Sequence, residues 1–370
     1  MIRIKNLTKI YPGAEIPAVD NLNLEIGEGE TCVLVGPSGC GKTTTLKMIN
    51  KLIIPTEGTI LIDGENVLKV DPIELRRNIG YVIQEIGLFP HMTIFENIAT
   101  VSNELNWPKD KIKDRVYELM ELMDLDPEIY RNRRPSDLSG GQRQRVGVAR
   151  AMAANPPVML MDEPFGAVDP ITRGRLQDEF LNLQEKLKKT IIFVTHDINE
   201  ALKMGTKIAV MRGGKLVQYT SPDGLLAQPE NEFVEDLIGG DSTLKRLHLV
   251  LAKEVMKNPL YVARDSDSIA DIKAKIGDKP KSKIYVTDSE NTLMGYLPYA
   301  QLKREGSINS LIQPVKAKIA DYTRLSEALS EMLSVGNSMI CVVDDDNNFK
   351  GVISLQDILD TAKSESEIHS

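Results

Sequence analysis

The sequence has 370 residues, of which 42% are hydrophobic and 26% are charged, and its formal net charge is −8. A chain of this length is expected to fold as more than one domain, and its composition argues against a fibrous or disordered protein. The negative charge argues against a nucleic-acid partner, because nucleic-acid binding normally requires a basic surface.

Other features of the sequence indicate the compartment. The N-terminus lacks the charged start, apolar run and cleavage site of a secretory signal, and no apolar run approaches the roughly 18 to 20 residues that cross a bilayer. Cys32, Cys40 and Cys341 are scattered and form neither a disulfide framework nor a metal-ligand spacing. We therefore expect a protein of the reducing cytoplasm that reaches a membrane only through a partner.

From residue 1 to about residue 235, short apolar runs alternate with longer amphipathic segments. This alternation predicts strands and helices around a largely parallel sheet, which is an α/β fold. The runs TCVLVG, VMLMDEP and TIIFVTH are apolar almost throughout, as expected of strands that helices cover on both faces. The segment 109–123 has a helical periodicity and predicts a helical insertion.

The first motif, GPSGCGKT at residues 36–43, lies between the strand TCVLV and a helix-like stretch. Its glycines let backbone N–H groups curl around phosphate oxygens, and the following helix directs its positive end at the same anion. Lys42 would hold the β- and γ-phosphates, and Thr43 would bind Mg²⁺. The residues expected to contact the nucleotide here are Gly36, Pro37, Ser38, Gly39, Cys40, Gly41, Lys42, Thr43 and Thr44.

Two acids follow the apolar run VMLM, at the end of a strand where open α/β sheets bind ligands. We expect Asp162 to hold Mg²⁺ and Glu163 to act as the general base that polarises the attacking water. Two adjacent acids after a strand are often only a solvated turn. The phosphate loop upstream favours the functional interpretation.

A second anion site is predicted in the segment LSGGQRQRVGVARAM. Ser139 is a candidate N-cap, and Gly140 and Gly141 expose N–H groups at the start of a helix. No strand precedes this segment, so we do not expect it to bind the same nucleotide from the same side. Taken alone, it could be a flexible loop followed by a solvated helix face. Its predicted nucleotide contacts are Ser139, Gly140, Gly141 and Gln142.

Together these motifs resemble the ABC ATPase family, whose signature LSGGQ is present letter for letter at residues 138–142. The resemblance covers residues 1 to about 235 and implies a P-loop NTPase cassette, with a mixed sheet core and a helical subdomain, that hydrolyses ATP with Mg²⁺. Further motifs follow in the family's order: Tyr11 matches the aromatic that stacks on adenine, Gln84 the Q-loop glutamine, 167–169 the D-loop and His196 the switch histidine. The resemblance implies that Gln84 binds Mg²⁺ and that Gln84 and His196 are catalytic.

The resemblance also implies a head-to-tail dimer of two copies. Each of two ATP molecules would lie between the phosphate loop of one copy and the LSGGQ segment of the other, and hydrolysis would open the dimer. The region from Gln84 through IGLFPHMTIFENI resembles the surface on which permease subunits dock. Its apolar residues, which could equally belong to the core, are Phe89, Met92, Ile94 and Phe95.

Beyond the cassette the pattern changes to a tandem repeat, in which KIYVTDSENTLMGYLPYAQL echoes MICVVDDDNNFKGVISLQDI. Each copy predicts a strand, an acidic turn, a second strand near a glycine, and a helix. This is an α+β pair. The expected limits are a nucleotide-binding domain at 1–237, a linker at 238–251, the two repeats at 252–306 and 307–363, and a frayed tail at 364–370.

The two repeats resemble CBS domains, which pair and commonly bind adenine nucleotides. In the second repeat, GVISLQD fits the family motif, and Ser354 and Asp357 are candidate ribose contacts. The first repeat has Pro298 and Gln301 at the matching positions and departs from the motif. A Ser-x-x-Asp sequence at the start of a helix is also close to a capping box, so capping alone is the alternative.

A cassette with a C-terminal CBS pair resembles the ATP-binding subunits of importers for quaternary amines such as glycine betaine, carnitine and choline. The resemblance implies a place on the cytoplasmic face of the membrane, bound to permease subunits, with an extracytoplasmic binding protein that selects the cargo. It also implies that the CBS pair gates transport, by binding an adenine nucleotide or cyclic di-AMP, or by sensing ionic strength. The acidic turns 288–290 and 344–346 are candidates for such sensing.

Three alternatives stay open at this point. Some ABC ATPases act on DNA or ribosomes, but those typically carry two cassettes or a long coiled coil, and this sequence has neither. A module that only senses a ligand would not need Glu163 and His196. An importer for another solute, such as a sugar or polyamine, usually bears a β-rich C-terminal domain, which the repeat does not resemble.

Overall fold

The computed structural model describes residues 1–84, 87–166, 168–239, 242–259, 261–276, 283–303 and 308–362. The chain divides into two compact units, Met1–Ile238 and Gly239–Ser370. The tail at 364–370 and the junction between the two repeats at 306/307 lie outside the described residues, so these limits stay predictions. Within the described parts of the chain, no helix is long and apolar enough to span a membrane.

The strands of the first unit form two sheets. They are β1 (Ile2–Lys9), β2 (Val19–Ile26), β3 (Thr31–Val35), β4 (Glu57–Ile62), β5 (Glu65–Asn66), β6 (Ile79–Val82), β7 (Val158–Asp162), β8 (Thr190–Thr195), β9 (Lys207–Arg212) and β10 (Lys215–Thr220). One sheet has the order β2-β1-β4-β5 and is antiparallel. The other has the order β10-β9-β3-β8-β7-β6, in which only β10 runs antiparallel to its neighbour. The predicted α/β fold around a largely parallel sheet is confirmed.

The helices of the first unit connect these strands. They are α1 (Lys42–Ile49), α2 (Pro72–Arg77), α3 (Ile94–Glu104), α4 (Lys109–Leu122), α5 (Pro127–Tyr130), α6 (Gly140–Met152), α7 (Pro170–Leu187), α8 (Ile198–Met204), α9 (Pro222–Ala227) and α10 (Glu232–Ile238), with a 3₁₀ helix at Pro135–Asp137. Helices α3 to α6 lie between β6 and β7 in sequence. The helical insertion predicted at residues 109–123 is confirmed by α4.

The apolar runs of the sequence explain the centre of the larger sheet. Strands β3, β7 and β8 are buried over their whole lengths, because neighbouring elements cover both faces. These three strands are adjacent and parallel. Their carboxyl ends therefore meet at one edge, and the phosphate loop, the two acids and His196 all follow those ends.

The second unit contains the predicted repeat. Its helices and strands are α11 (Ser242–Leu247), α12 (Ala252–Val255), β11 (Val262–Arg264), α13 (Ile269–Ile276), β12 (Ile284–Thr287), β13 (Leu293–Leu297), β14 (Lys318–Ala320), α14 (Leu325–Val335), β15 (Met339–Val343), β16 (Phe349–Ser354) and α15 (Leu355–Ala362), with 3₁₀ helices at Tyr299–Lys303 and Ile308–Ser310. The sheets β11-β12-β13 and β14-β15-β16 share one pattern, a parallel pair followed by an antiparallel pair. The first repeat ends in a 3₁₀ helix, where the second ends in α15.

The repeated glycines have a structural reason. A Cβ at Gly295 would lie 2.4 Å from the carbonyl oxygen of Gln313, and one at Gly351 would lie 2.9 Å from that of Lys257. The backbones of Lys257 and Gln313 pair with β16 and β13 respectively, each through an isolated bridge. The third strand of each repeat thus needs glycine where a neighbouring backbone approaches.

Candidate functional site

The phosphate loop joins the end of β3 to the start of α1. A Cβ at Gly36 would lie 2.1 Å from the carbonyl oxygen of Met211, and one at Gly41 would lie 2.4 Å from that of Ala18. Gly41 also has a φ of 106°, a left-handed conformation that favours glycine. The loop is therefore packed as only glycine allows, and it directs the positive end of α1 toward the edge of the sheet.

Lys42 folds back over this loop. Its Nζ donates hydrogen bonds to the carbonyl oxygens of Gly36, at 2.6 Å, and Pro37, at 3.0 Å, and lies 3.7 Å from Cys40 Sγ. The side chain is only 6% exposed. The ammonium group is thus held at the mouth of the loop, in position to bind phosphate oxygens.

Thr43 and Asp162 form a pair of hard oxygen ligands beside the loop. Thr43 Oγ1 donates to Asp162 Oδ1 at 2.9 Å, although 119 positions separate the two residues. Burial raises the pKa of Asp162, and the hydrogen bond from Thr43 opposes that shift. A hydroxyl and one carboxylate fit Mg²⁺, which keeps waters and phosphate oxygens as its other ligands. The described residues contain no cluster of three or more His, Cys, Asp or Glu side chains that could hold a metal alone.

The three residues expected to be catalytic meet at the edge of the sheet. Gln84 Nε2 donates to Glu163 Oε2 at 3.1 Å, and His196 Nδ1 lies 3.2 Å from Glu163 Oε1. Glu163 has a φ of 47°, a left-handed conformation that is strained for this residue, and its N–H donates to Val194 O at 3.0 Å. The Gln84 amide and the His196 imidazole therefore orient the Glu163 carboxylate. Glu163 directly follows Asp162, the proposed magnesium ligand.

Tyr11 lies beside the phosphate loop. Its hydroxyl is 3.5 Å from Thr44 Oγ1, and the residue is 39% exposed. The Lys9 ammonium lies 5.4 Å from the centre of the ring. An exposed aromatic face at this place can stack on a purine base.

The LSGGQ segment caps α6. Ser139 Oγ accepts from Gln142 N at 3.2 Å, and Gln142 Oε1 accepts from Ser139 N at 2.9 Å, which is a capping box. Gln142 Nε2 also donates to Tyr130 OH at 3.0 Å. Among the described residues, the hydrogen bonds of Ser139 and Gln142 stay within the helical insertion and do not reach the phosphate loop of the same chain.

In the second unit, Ser354 and Asp357 contact each other. Ser354 N and Oγ donate to Asp357 Oδ2 at 2.9 and 2.5 Å, and Asp357 N donates to Ser354 Oγ at 3.1 Å, which caps α15. The Lys257 ammonium forms an ion pair with the other carboxylate oxygen. Burial raises the pKa of Asp357, but the contacts with Lys257 and Ser354 outweigh it and lower that pKa. These contacts match the alternative in which Ser354 and Asp357 cap the helix and do not bind a ligand.

A cavity of about 120 Å³ lies between the two repeats. Lys283 Nζ donates to Asn337 Oδ1 at 3.2 Å and lies 5.0 Å from the centre of the Tyr296 ring. The lining brings together two lysines, two tyrosines, an amide and several apolar side chains: Lys283, Tyr285, Tyr296, Val315, Lys316, Val335, Gly336, Asn337, Met339 and Cys341. This cavity suits an anion with a flat ring.

Comparison with known proteins identifies the family. The sequence model described as "ABC transporter" matches residues 19–166, and the one described as "CBS domain" matches residues 314–364. The chain is 48% identical to the osmoprotectant import ATP-binding protein OsmV of Salmonella typhimurium, over 98% of its own length and 97% of that protein. The chain belongs to the ABC transporter family of ATP-binding proteins. A second relative of this ABC protein is the glycine betaine/carnitine/choline transport ATP-binding protein OpuCA of Bacillus subtilis, 43% identical over 97% of this chain and 96% of that one.

A solved structure supports the same assignment. The dimeric structure of MJ0796, a bacterial ABC transporter cassette, has a TM-score of 0.55 and 38% identity, and covers 60% of this chain and 99% of that chain. A post-hydrolysis state of MJ0796 bound to ADP and Pi matches at 37% identity with the same TM-score. The expected family, the P-loop cassette fold and the ATPase activity are therefore confirmed, as is a CBS domain at the C-terminus.

The ABC cassette has a groove beside the residues expected to bind a permease. Its volume is about 300 Å³, and its rim carries cationic side chains. Phe89, at 39% exposure, lines it, whereas Ile94 is fully buried, so the core alternative holds for Ile94. Met92 and Phe95 are half-buried. The lining residues are Asn50, Arg76, Arg77, Ile79, Gly80, Tyr81, Gly87, Phe89, Thr100, Val101, Arg150, Ala151, Ala154 and Pro156.

Arg150 is a site residue that the sequence analysis missed. It lies on α6, and its guanidinium donates to Gly87 O at 2.7 Å and lies 5.7 Å from the centre of the Phe89 ring. It thereby connects the LSGGQ helix to the loop that follows Gln84. Its signal in the sequence is a lone charge within the apolar run VGVARAMAA. Of the expected D-loop at 167–169, residue 167 lies outside the described residues.

Proposed function

We propose that this chain powers the import of a quaternary-amine osmoprotectant, such as glycine betaine, carnitine or choline. The observation that carries this proposal is likeness over nearly the whole chain to OsmV and OpuCA, whose names specify osmoprotectant import and glycine betaine, carnitine and choline transport. Likeness of the cassette alone would not favour this cargo. Here the alignment includes the second unit as well, at 43–48% identity.

We propose the following roles within the ATPase site. Lys42 and the backbone of residues 36–44 bind the phosphates, Tyr11 stacks on adenine, and Thr43, Gln84 and Asp162 hold Mg²⁺. Bound Mg²⁺ supplies positive charge that neutralises the phosphates. Glu163 takes the proton of the attacking water, and its contacts with Gln84 and His196 support that role because they fix its carboxylate.

A second copy of the chain is the first proposed partner. The solved relative MJ0796 is a dimer, and the hydrogen bonds of Ser139 and Gln142 do not reach the phosphate loop of their own chain. The N–H groups at the start of α6 suit an anion that arrives from outside the chain. We propose that Ser139, Gly140, Gly141 and Gln142 bind the ATP held by the other copy.

The other proposed partners lie at the membrane. The groove lined by Phe89, Arg76 and Arg77 suits a helix of a permease subunit that carries an apolar and an acidic side chain. Binding there would hold the chain on the cytoplasmic face of the membrane. An extracytoplasmic binding protein would select the cargo, and nucleic acid has no place in this function.

Uptake by the assembled complex tests this function. The chain is reconstituted with its permease and binding protein in vesicles, and ATP-dependent uptake of labelled glycine betaine, carnitine and choline is measured beside a sugar and a polyamine. We expect uptake of at least one quaternary amine and of neither control solute. Uptake of a control solute alone would reassign the importer, and co-purification with nucleic acid instead of a permease would overturn the transport function.

We further propose that the second unit regulates transport by binding an adenine nucleotide or cyclic di-AMP. The cavity between the repeats supports this, because it combines the cations Lys283 and Lys316 with the half-buried ring of Tyr296. A ring can stack there while the ammonium groups meet phosphates. Ser354 and Asp357 remain candidate ribose contacts.

Lys283→Ala should weaken binding of that ligand about tenfold, because a charge-assisted hydrogen bond to phosphate is lost. Binding of AMP, ATP and cyclic di-AMP is measured by calorimetry on the full chain in a Lys42→Ala background, in which nucleotide binding by the cassette is expected to be about a hundredfold weaker. Lys273→Ala, an exposed lysine on α13, is the matched control. Equal affinity for the ligand in Lys283→Ala and Lys273→Ala would show that the ligand binds outside this cavity. Ser354→Ala distinguishes a ribose contact, which changes affinity, from a cap, which changes only thermal stability.

A further inference from the structure

A carboxyl group is buried behind the ATPase site. Glu200, on α8, is 8% exposed and accepts a hydrogen bond from Gln177 Nε2 at 2.9 Å. Gln177 lies on α7 and is itself only 7% exposed. Burying a carboxyl group costs free energy unless specific partners compensate, so its presence here calls for a reason.

Glu200 lies on α8, the helix that begins directly after the turn of His196. The Thr195 hydroxyl, at the end of β8, lowers the pKa of the Glu200 carboxyl group as a hydrogen-bond donor. Thr195 Oγ1 also accepts from Asp197 N at 3.1 Å, so the same hydroxyl closes the turn that carries His196. Glu200 is therefore carried by the helix that begins at the turn of His196, whose imidazole contacts Glu163.

The positive charge of Arg173, in the first turn of α7, also acts on Glu200. Arg173 donates to Val168 O at 2.9 Å, in the segment expected to be the D-loop. Burial raises the pKa of Glu200, while hydrogen bonds from Thr195 and Gln177 and the positive charge of Arg173 oppose that shift. The carboxyl group thus lies between the turn of His196 and the helix that follows the D-loop.

We propose that Glu200 is a positioning residue for ATP hydrolysis, which holds the His196 turn and the start of α7 in a fixed relation. It touches neither nucleotide nor the reacting atoms. Its effect is to keep His196 within reach of Glu163 by holding the start of α8, which directly follows the His196 turn, and to keep α7 in register through Gln177. The inference rests on the proposed role of His196.

Steady-state kinetics of the dimer test the inference. Glu200→Ala should lower kcat about tenfold or more and leave KM for ATP within about twofold, because ATP binding does not use these contacts. The isosteric Glu200→Gln should recover most of that loss, since its amide oxygen can still accept from Gln177. Gln177→Ala should lower kcat similarly, and the double variant should lose no more than either single one. Asn199→Ala, an exposed neighbour on α8, should change nothing.

Three outcomes would overturn the inference. Glu200→Ala could keep full kcat, or its loss of kcat could disappear when turnover is measured well below the temperature at which the variant unfolds. In the third outcome, the losses of kcat in Glu200→Ala and Gln177→Ala would multiply in the double variant. Failure of the proposed site has a different signature. If His196→Ala or Glu163→Gln kept full turnover, the roles of those residues would fall whatever Glu200 does. If both lost turnover while Glu200→Ala kept it, only the positioning role would fall.

Discussion

Glu163→Gln should lower kcat for ATP hydrolysis by about a hundredfold or more, while ATP still binds and holds two copies together. The variant removes the carboxylate that lies between Gln84 and His196 and keeps nearly the same side-chain size. The carboxylate proposed to take the proton of the attacking water is then gone, whereas the phosphate-binding groups around Lys42 are unchanged. Phosphate release measures turnover, and size-exclusion chromatography with and without ATP measures dimerisation.

The matched control is Glu118→Gln, which makes the same chemical change on the exposed surface of α4. It should leave turnover and dimerisation as they are. Full turnover in Glu163→Gln would show that another group activates the water. Loss of turnover together with loss of the ATP-dependent dimer would mean that Glu163 supports the fold or the interface and is not the base.

Local motifs could be read from the sequence because their chemistry is local. GPSGCGKT needs glycine where Met211 and Ala18 approach the backbone, so the motif carries its own structural signal. The runs that became β3, β7 and β8 are apolar throughout because both faces are covered. The phosphate loop and the two acids can be recognised in the sequence for the same reason, because each motif spans only a few residues.

Features that depend on packing between distant segments could not be read in this way. Ile94 and Phe89 look alike in sequence, yet one is buried and the other lines a groove. Lys283 and Asn337 meet only because the two repeats pack against each other. The contact between Gln177 and Glu200 joins two helices that an intervening strand separates in the chain.

The geometry also explains why the proposed catalytic residues are so far apart in sequence. Gln84, Glu163 and His196 follow β6, β7 and β8, which are consecutive in the sheet. Parallel neighbours end at one edge, so three separate loops deliver their side chains to one place. A small rotation of any one loop would break the contacts with Glu163. Docking at the groove beside the loop of Gln84 is therefore well placed to influence hydrolysis.

Lys42→Ala should weaken ATP binding about a hundredfold or more and abolish turnover. The ammonium is buried at the mouth of the phosphate loop, held by two carbonyl oxygens at 2.6 and 3.0 Å. A charge-assisted contact with phosphate in such a shielded place contributes more than one on the surface. Binding of a fluorescent ATP analogue measures the loss, and circular dichroism checks the fold.

Two further variants separate charge from geometry. Lys5→Ala removes an exposed lysine from β1 and should bind ATP normally. Lys42→Arg keeps the positive charge, but its planar guanidinium cannot reproduce the compact contacts with Gly36 and Pro37, so it too should lose turnover. If Lys42→Arg restored activity, the site would need only a positive charge there. If Lys42→Ala itself bound and hydrolysed ATP like the unaltered chain, the phosphate-binding role of this loop would be wrong, and with it the mechanism that places Glu163 beside the γ-phosphate.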